Sequence, residues 1–234
     1  MMEEMTTTFS PIAYAETDFE SKFGIPRQSG RVEGLLSRIV FYPKYRNADA
    51  LRGIGGFSHL WLLWHFSETP HEEIFRPTVR PPRLGGNESM GVFATRSPYR
   101  PNPIGLSSVR LVRIEETENE GTVLWVEGAD LLNGTPIFDI KPYLPTSDLH
   151  TDATGGFAEP LTDYALQVLC DEELLARMPE EKRSPLLAVL REDPRPAYQK
   201  DASRVYGFPF ASYEIKFTVN GDVLTVCDII KMGN

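Results

Sequence analysis

Residues 122–143 read Thr122-Val-Leu-Trp-Val-Glu-Gly-Ala-Asp130, then Leu-Leu-Asn133-Gly134-Thr135, then Pro136-Ile-Phe-Asp-Ile-Lys-Pro-Tyr143. Two β-rich runs flank an Asn-Gly pair whose positions both accept positive φ, so the stretch predicts a tight two-residue hairpin. Upstream, further β runs are expected at Phe9–Glu16, Val32–Phe41, Phe57–Phe66, Met90–Thr95 and Leu106–Ile114, separated by Gly, Pro and Asn. Seven such runs with few helical stretches between them predict an antiparallel or mixed barrel or sandwich, not a βαβ array.

Beyond this region the period changes. Residues 148–160 are polar and Gly-rich and read as a linker between a domain at 1–147 and a small α+β domain at 161–234. Leu161, Tyr164, Ala165, Val168 and Leu169 fall on one helical face, predicting an amphipathic helix running to Met178. Ser184-Pro185 reads as an N-cap and first-turn proline opening a short helix through Leu190. Tyr213, Ile215, Phe217 and Val219 alternate with polar residues up to an Asn220-Gly221 turn, and Leu224, Val226 and Ile230 are expected to return on the same face. The chain is therefore expected to be mainly β, with a β N-terminal domain followed by a small α+β C-terminal domain.

Composition limits the function classes. With 234 residues, 41% hydrophobic, the chain can fill a core, so a low-complexity protein is excluded. No apolar run reaches membrane-spanning length, and Met1–Phe9 lacks a basic and an apolar region, so no membrane partner and a cytoplasmic location are expected. Cys170 and Cys227 form no CxxC, and Thr69-Pro70 separates His71 from His59 and His65, so no metal site is expected. Gly53-Ile-Gly-Gly-Phe-Ser58 precedes a β run instead of opening a helix, and no nucleotide cofactor of the Rossmann type is inferred. The net charge of −9 counts against nucleic acid. Its distribution does not, because residues 76–113 carry seven arginines against the single acid Glu88. A phosphate-bearing ligand would be held there first.

The arginines lie in two Pro-stiffened loops, Arg76-Pro-Thr-Val-Arg80-Pro-Pro-Arg83-Leu-Gly-Gly-Asn87 and Arg96-Ser-Pro-Tyr-Arg100-Pro-Asn-Pro-Ile104. Proline limits the entropy lost on binding, and the guanidinium fork suits phosphate or carboxylate. A solvated loop, or a polyproline ligand for another protein's groove, is the competing reading. Asp139 and Lys141 share a strand face and read as a structural ion pair before a functional one. Asp193-Pro-Arg195-Pro-Ala-Tyr198-Gln-Lys200 offers a guanidinium, a ring and an ammonium, a pattern that serves either a nucleic-acid contact or a linker.

Six ordered motifs carry a resemblance: Phe23-Gly-Ile-Pro-Arg-Gln28, Phe57-Ser-His-Leu-Trp61, Arg80-Pro-Pro-Arg-Leu-Gly-Gly-Asn87, Gly91-Val-Phe-Ala-Thr-Arg-Ser97, Arg100-Pro-Asn-Pro-Ile-Gly-Leu-Ser107 and Gly134-Thr-Pro-Ile-Phe-Asp-Ile-Lys-Pro-Tyr143. Together with Asp193-Pro-Arg-Pro-Ala-Tyr198, the sequence resembles the TrmO (TsaA-like) family over nearly its whole length. The resemblance implies a single-sheeted β-barrel methyltransferase using S-adenosylmethionine. It implies methylation of N6 of threonylcarbamoyladenosine at position 37, in the anticodon loop of threonine tRNA, by a homodimer. By motif, Pro26, Arg27, Gln28, Ser67, Glu68, Arg96, Leu106, Ala129 and Asp130 would surround the cofactor. Family members often carry His where this chain has Ser67, and Asp where it has Asn133.

Arg80, Arg83, Arg100 and Lys200 would contact tRNA, and Asp193, Arg195 and Tyr198 would serve catalysis. N6 of that base is a ureido nitrogen, a poor neutral nucleophile but a comparatively acidic one, so catalysis needs positioning and proton removal. Arg83, Arg100 or Arg195 would hold the threonyl carboxylate, while Tyr198 stacks on a base or stabilises the nitrogen losing its proton. A non-catalytic RNA-binding adaptor, or a methyltransferase for another small anionic substrate, is the alternative.

Overall fold

Alternation along the strands sets the architecture. In the computed structural model, which describes residues 7–70, 74–81, 88–161, 165–195 and 201–233, β3 (His59–His65) buries Leu60, Leu62 and Trp64 and leaves the intervening residues half-buried. Strands β1 (Ala13–Glu16), β2 (Leu36–Phe41), β6 (Ile104–Thr117), β7 (Gly121–Glu127) and β8 (Pro136–Pro142) join β3 in the closed order β1-β2-β7-β6-β3-β8, every pair antiparallel. Closure leaves no free edge. Ile39, Leu60, Leu62, Leu124, Val126 and Ile137 fill the interior at 0% exposure.

The Asn133-Gly134 stretch turns, with Gly134 at φ 78°, but it joins strands that are not neighbours, because β7 pairs with β2 and β6. The predicted hairpin is therefore absent. Residues 128–132 leave the sheet after Glu127 and cross the end of the barrel. The turn then closes on β1 through Gly134 N–H to the Ala15 carbonyl at 2.8 Å. The expected strand Met90–Thr95 shortens to β5 (Met90–Gly91), paired with β4 (Thr78–Val79) outside the barrel, and passes into a 3-10 turn at Val92–Ala94.

The second sheet has the order β10-β11-β12-β9, with β10 at Tyr206–Phe210, β11 at Tyr213–Asn220, β12 at Val223–Lys231 and β9 at Gln167–Leu169. The amphipathic helix expected to run to Met178 is not formed across Gln167–Leu169, which lie in β9, parallel to Val223–Thr225. Tyr164 lies outside the described residues. Asp171 accepts a hydrogen bond from Glu173 N–H at 2.8 Å and caps a helical turn at Glu172–Leu175. A longer helix spans Glu180–Arg191, beginning ahead of the expected Ser184 cap and carrying Pro185 inside it. Glu180 and Glu181 in its first turn favour the earlier start. A bulge opposite Lys216 and Phe217 inserts Cys227 into β12, which reverses side-chain parity beyond it. Ile229 is buried as a result, and Ile230, expected on the core face, is 40% exposed.

The segment between β1 and β2 does not stay with the barrel. Phe19, Val32 and Leu35 are buried in the core of the second sheet, together with Phe208, Phe210, Phe217, Leu186 and Leu190. Phe19 meets Phe210 edge-on at 5.5 Å, and Lys182 pairs with Asp18 at 2.6 Å. Gly24 has φ 94°, and a Cβ there would lie 2.3 Å from the Phe208 ring. Gly24→Ala is expected to lower stability by about 1–3 kcal/mol through overpacking, with backbone strain added. A urea midpoint equal to wild type would show that this packing is not constraining.

Candidate active site

Five separated segments converge at one end of the barrel around a cleft with a cavity volume of about 550 Å³. One wall is the β1–β2 segment, with Pro26, Arg27 and Gln28. A second wall is the end of β3 and the turn after it, with Trp64, Ser67 and Glu68. Arg96 and Arg100 come from the loop before β6, Ile104 and Leu106 from β6, and Asp130 from the crossing segment. The sequence-predicted cofactor positions thus meet here except Ala129, which is buried in the barrel core beside Asp130 in the chain.

Local chemistry explains the placement. Ile104 and Leu106 share one face of β6 and are 36% and 52% exposed, while Ser107 on the opposite face is buried. Gly105 faces Trp64 across the ladder, and a Cβ there would lie 2.2 Å from the indole, so only glycine lets Trp64 lie across that strand. Trp64 Nε1 donates to Ser107 Oγ at 2.9 Å, and Ser107 donates to Asp130 Oδ1 at 2.5 Å. Burial pushes the Asp130 carboxyl above its ordinary value, opposed by the Ser107 hydrogen bond and the charge of Arg96. Arg96 in turn donates to Gln28 Oε1, and Arg100 to the Thr95 carbonyl at 3.2 Å.

A smaller cavity of about 250 Å³ adjoins, lined by Lys22, Gly24, Arg27, Glu192, Asp193 and Arg195 among others. Asp193, at φ 52°, binds Arg195 at 2.8 and 3.0 Å, and the two side chains are only 12% and 10% exposed. Arg195 is thereby engaged by a neighbouring carboxylate and does not extend alone into solvent. Arg80 is exposed, next to β4 in the chain, and lines neither cavity. Arg83, Tyr198 and Lys200 lie outside the described residues.

Two of the seven clustered arginines are structural. Arg110 binds Glu127 and Arg113 stacks on Trp125 at 3.8 Å, both on the barrel wall. Lys141 and Asp139 pair at 2.8 Å. Sequence reasoning missed Lys22, which lines both cavities. Its only signal was its place one residue ahead of the Phe23–Gln28 motif. Among the described residues no group of His, Cys, Asp and Glu could hold a metal ion, and no helix is long and apolar enough to cross a membrane.

Comparison with known proteins follows these features. Residues 14–149 match the tRNA-methyltransferase O N-terminal domain, and residues 163–232 match the TrmO C-terminal domain. The chain is 40% identical over 221 residues to a tRNA (adenine(37)-N6)-methyltransferase of Escherichia coli, covering 90% of this chain and 92% of that one. It is 39% identical over 236 residues to a putative S-adenosylmethionine-dependent methyltransferase of Pseudomonas aeruginosa, covering 96% and 98%. A crystal structure of TrmO from Pseudomonas aeruginosa superposes with a TM-score of 0.76 at 33% identity, covering 96% and 99%.

The raised Asp130 carboxyl makes a signed prediction. The folded state holds this proton more tightly than the unfolded chain, so its contribution favours folding at low pH and is lost as pH rises from about 3.9, the unfolded value, through the raised folded value. Asp130→Asn keeps an acceptor for Ser107 and removes that titration. The Tm difference between variant and wild type is expected to move in the variant's favour as pH rises above about 4. A difference independent of pH would refute the assignment.

Proposed function

Because this chain belongs to the TrmO family of tRNA methyltransferases, we propose that it transfers a methyl group from S-adenosylmethionine to N6 of adenosine 37 in tRNA. The substrate we infer is threonylcarbamoyladenosine of threonine tRNA, bound by a homodimer in the cytoplasm. In this reading residues 1–147 hold the cofactor and residues 161–234 reach the tRNA.

The convergence of Pro26, Gln28, Ser67, Arg96, Leu106 and Asp130 on one cleft supports this function. The cleft suits the cofactor on its own chemistry. A volume of about 550 Å³ lies within the range of small-ligand sites. Ile104 and Leu106 offer apolar surface to a flat base, and the buried Asp130 carboxyl offers an acceptor to amino or hydroxyl donors. When bound there, S-adenosylmethionine supplies an electrophilic methyl group.

The residues of this chain orient the reaction. The Arg96–Gln28 bond fixes the loop before β6 against the β1–β2 segment, and the Asp193–Arg195 pair stiffens the adjoining wall. In the transfer N6 would take the methyl group as the cofactor's carbon–sulfur bond breaks to leave a thioether, and the N6 proton would pass to solvent. Arg80 and Arg100 face the RNA backbone in this reading, with Arg83 and Lys200, while Tyr198 stacks on a base near the reacting nitrogen.

Mass spectrometry of nucleosides is the direct test. Incubation with S-adenosylmethionine and tRNA carrying the threonylcarbamoyl group is expected to add one methyl to that nucleoside. No gain on such tRNA, despite cofactor binding, would overturn the proposal. Salt dependence provides a second check, because Arg110 and Arg113 are already engaged and the chain as a whole is acidic. The fall of log K with log salt should correspond to about two to four phosphate contacts, and a slope of about eight or more would contradict it.

A further inference from the structure

We propose that Lys22 is a specificity-determining residue that binds the carboxylate on the threonyl arm of the substrate, at the junction between the two cavities. The proposal rests on the methyl-transfer reading above. Lys22, Ile25 and Arg27 are shared by the linings of the large and the small cavity, so this stretch is their partition. Its two cations are anchored on main-chain carbonyls. The Lys22 ammonium donates to the Glu68 carbonyl, and Arg27 donates to the Asp193 carbonyl at 3.1 Å. A carbonyl orients a cation without cancelling its charge.

The other charges around the small cavity are compensated. Arg195 is paired with Asp193 at 2.8 Å, and Glu192 with Arg31 at 2.5 Å. Net positive charge on the partition therefore comes from Lys22 and Arg27. Arg27 belongs to the same wall as Gln28, next to the cofactor positions, and its guanidinium turns toward Asp193. Among the described residues the Lys22 ammonium spends one of its three donors, on the Glu68 carbonyl at the rim of the large cavity, which leaves two for an anion.

Substrate chemistry selects the same place. In threonylcarbamoyladenosine the carboxylate is joined to N6 through a carbonyl carbon, a nitrogen and the α-carbon. A base with N6 in the large cavity therefore carries its carboxylate to a wall of that cavity, not to the outer surface where Arg80 lies. An ammonium already held by a carbonyl meets the anion with little further loss of side-chain freedom.

The methionyl end of the cofactor also carries a carboxylate, so the experiment separates the two anions. Lys22→Met retains the stem and removes the charge, and Lys22→Arg restores a cation. Cofactor affinity is read by calorimetry. Steady-state methylation is read on an anticodon stem-loop RNA bearing the threonylcarbamoyl group and on its methyl ester. Lys22→Met is expected to raise KM for the free acid by about tenfold or more, the scale of one charge-assisted hydrogen bond. That loss should exceed any loss in cofactor affinity or on the ester by about tenfold, and Lys22→Arg should recover most of it.

A matching loss of cofactor affinity would assign Lys22 to the cofactor's carboxylate and overturn the proposal. An equal loss on the ester, or no loss on the acid, would overturn it as well. Wild-type enzyme that methylates neither RNA would bring down the methyl-transfer reading itself. Normal wild-type turnover with an unaffected Lys22→Met overturns only the role of Lys22.

Discussion

The burial of Phe19, Val32 and Leu35 in a core that is not the barrel's own is the constraint on which the site depends. A large apolar side chain contributes about 1.5–3 kcal/mol when fully buried, so these three anchor the β1–β2 segment firmly to the second sheet. The same segment carries Lys22, Pro26, Arg27 and Gln28. Packing in one core thus positions polar side chains at the mouth of the other. The Asp18–Lys182 and Arg31–Glu192 pairs lie at the two ends of the segment and fix its path between them.

Within the cleft, a buried relay is an organising feature. Trp64, Ser107 and Asp130 are held in one hydrogen-bonded line, and Trp64 can lie where it does because residue 105 has no side chain. The line holds the Asp130 carboxyl in place, with the Ser29 and Asp130 backbone amides also hydrogen-bonding to it, while burial resists its ionisation. An acceptor of that kind is most useful to a ligand bringing its own donors or positive charge. The half-exposed Ile104 and Leu106 give the same ligand an apolar surface, and a molecule with a flat base and a cationic end satisfies both demands.

The barrel strands were legible from alternation because each presents one face to a common core, as His59–His65 does. Features set by long-range pairing were not. Asn133-Gly134 has the local chemistry of a hairpin, but strand order decides which partners it joins, and β8 pairs with β1 and β3. Ile230 was misplaced by a single bulge residue, Cys227, that no periodicity can announce. Val168 and Leu169 fit a helical face, yet a parallel partner at Leu224 and Thr225 draws them into a strand. Residues that line the large cleft could be named from motifs because most of them occupy short segments of unusual composition. Lys22 has no such mark: its meaning comes from lying between two cavities whose other walls are far away in the chain.

Charge bookkeeping at the level of the whole chain misleads for a related reason. The net charge of −9 and the arginine-rich stretch at 76–113 make opposite suggestions about an RNA partner. Pairing reconciles them. Arg110, Arg113 and Arg195 are engaged with Glu127, Trp125 and Asp193, so they shape walls before they attract phosphate. Long-range steering by such a surface is weak, since these cations are locally paired and the remainder sit in a molecule with a net charge of −9. In the proposed reading, discrimination comes at short range, from cations held on carbonyls beside a cleft. A modified base brings its own anion to that place, whereas an unmodified adenosine does not.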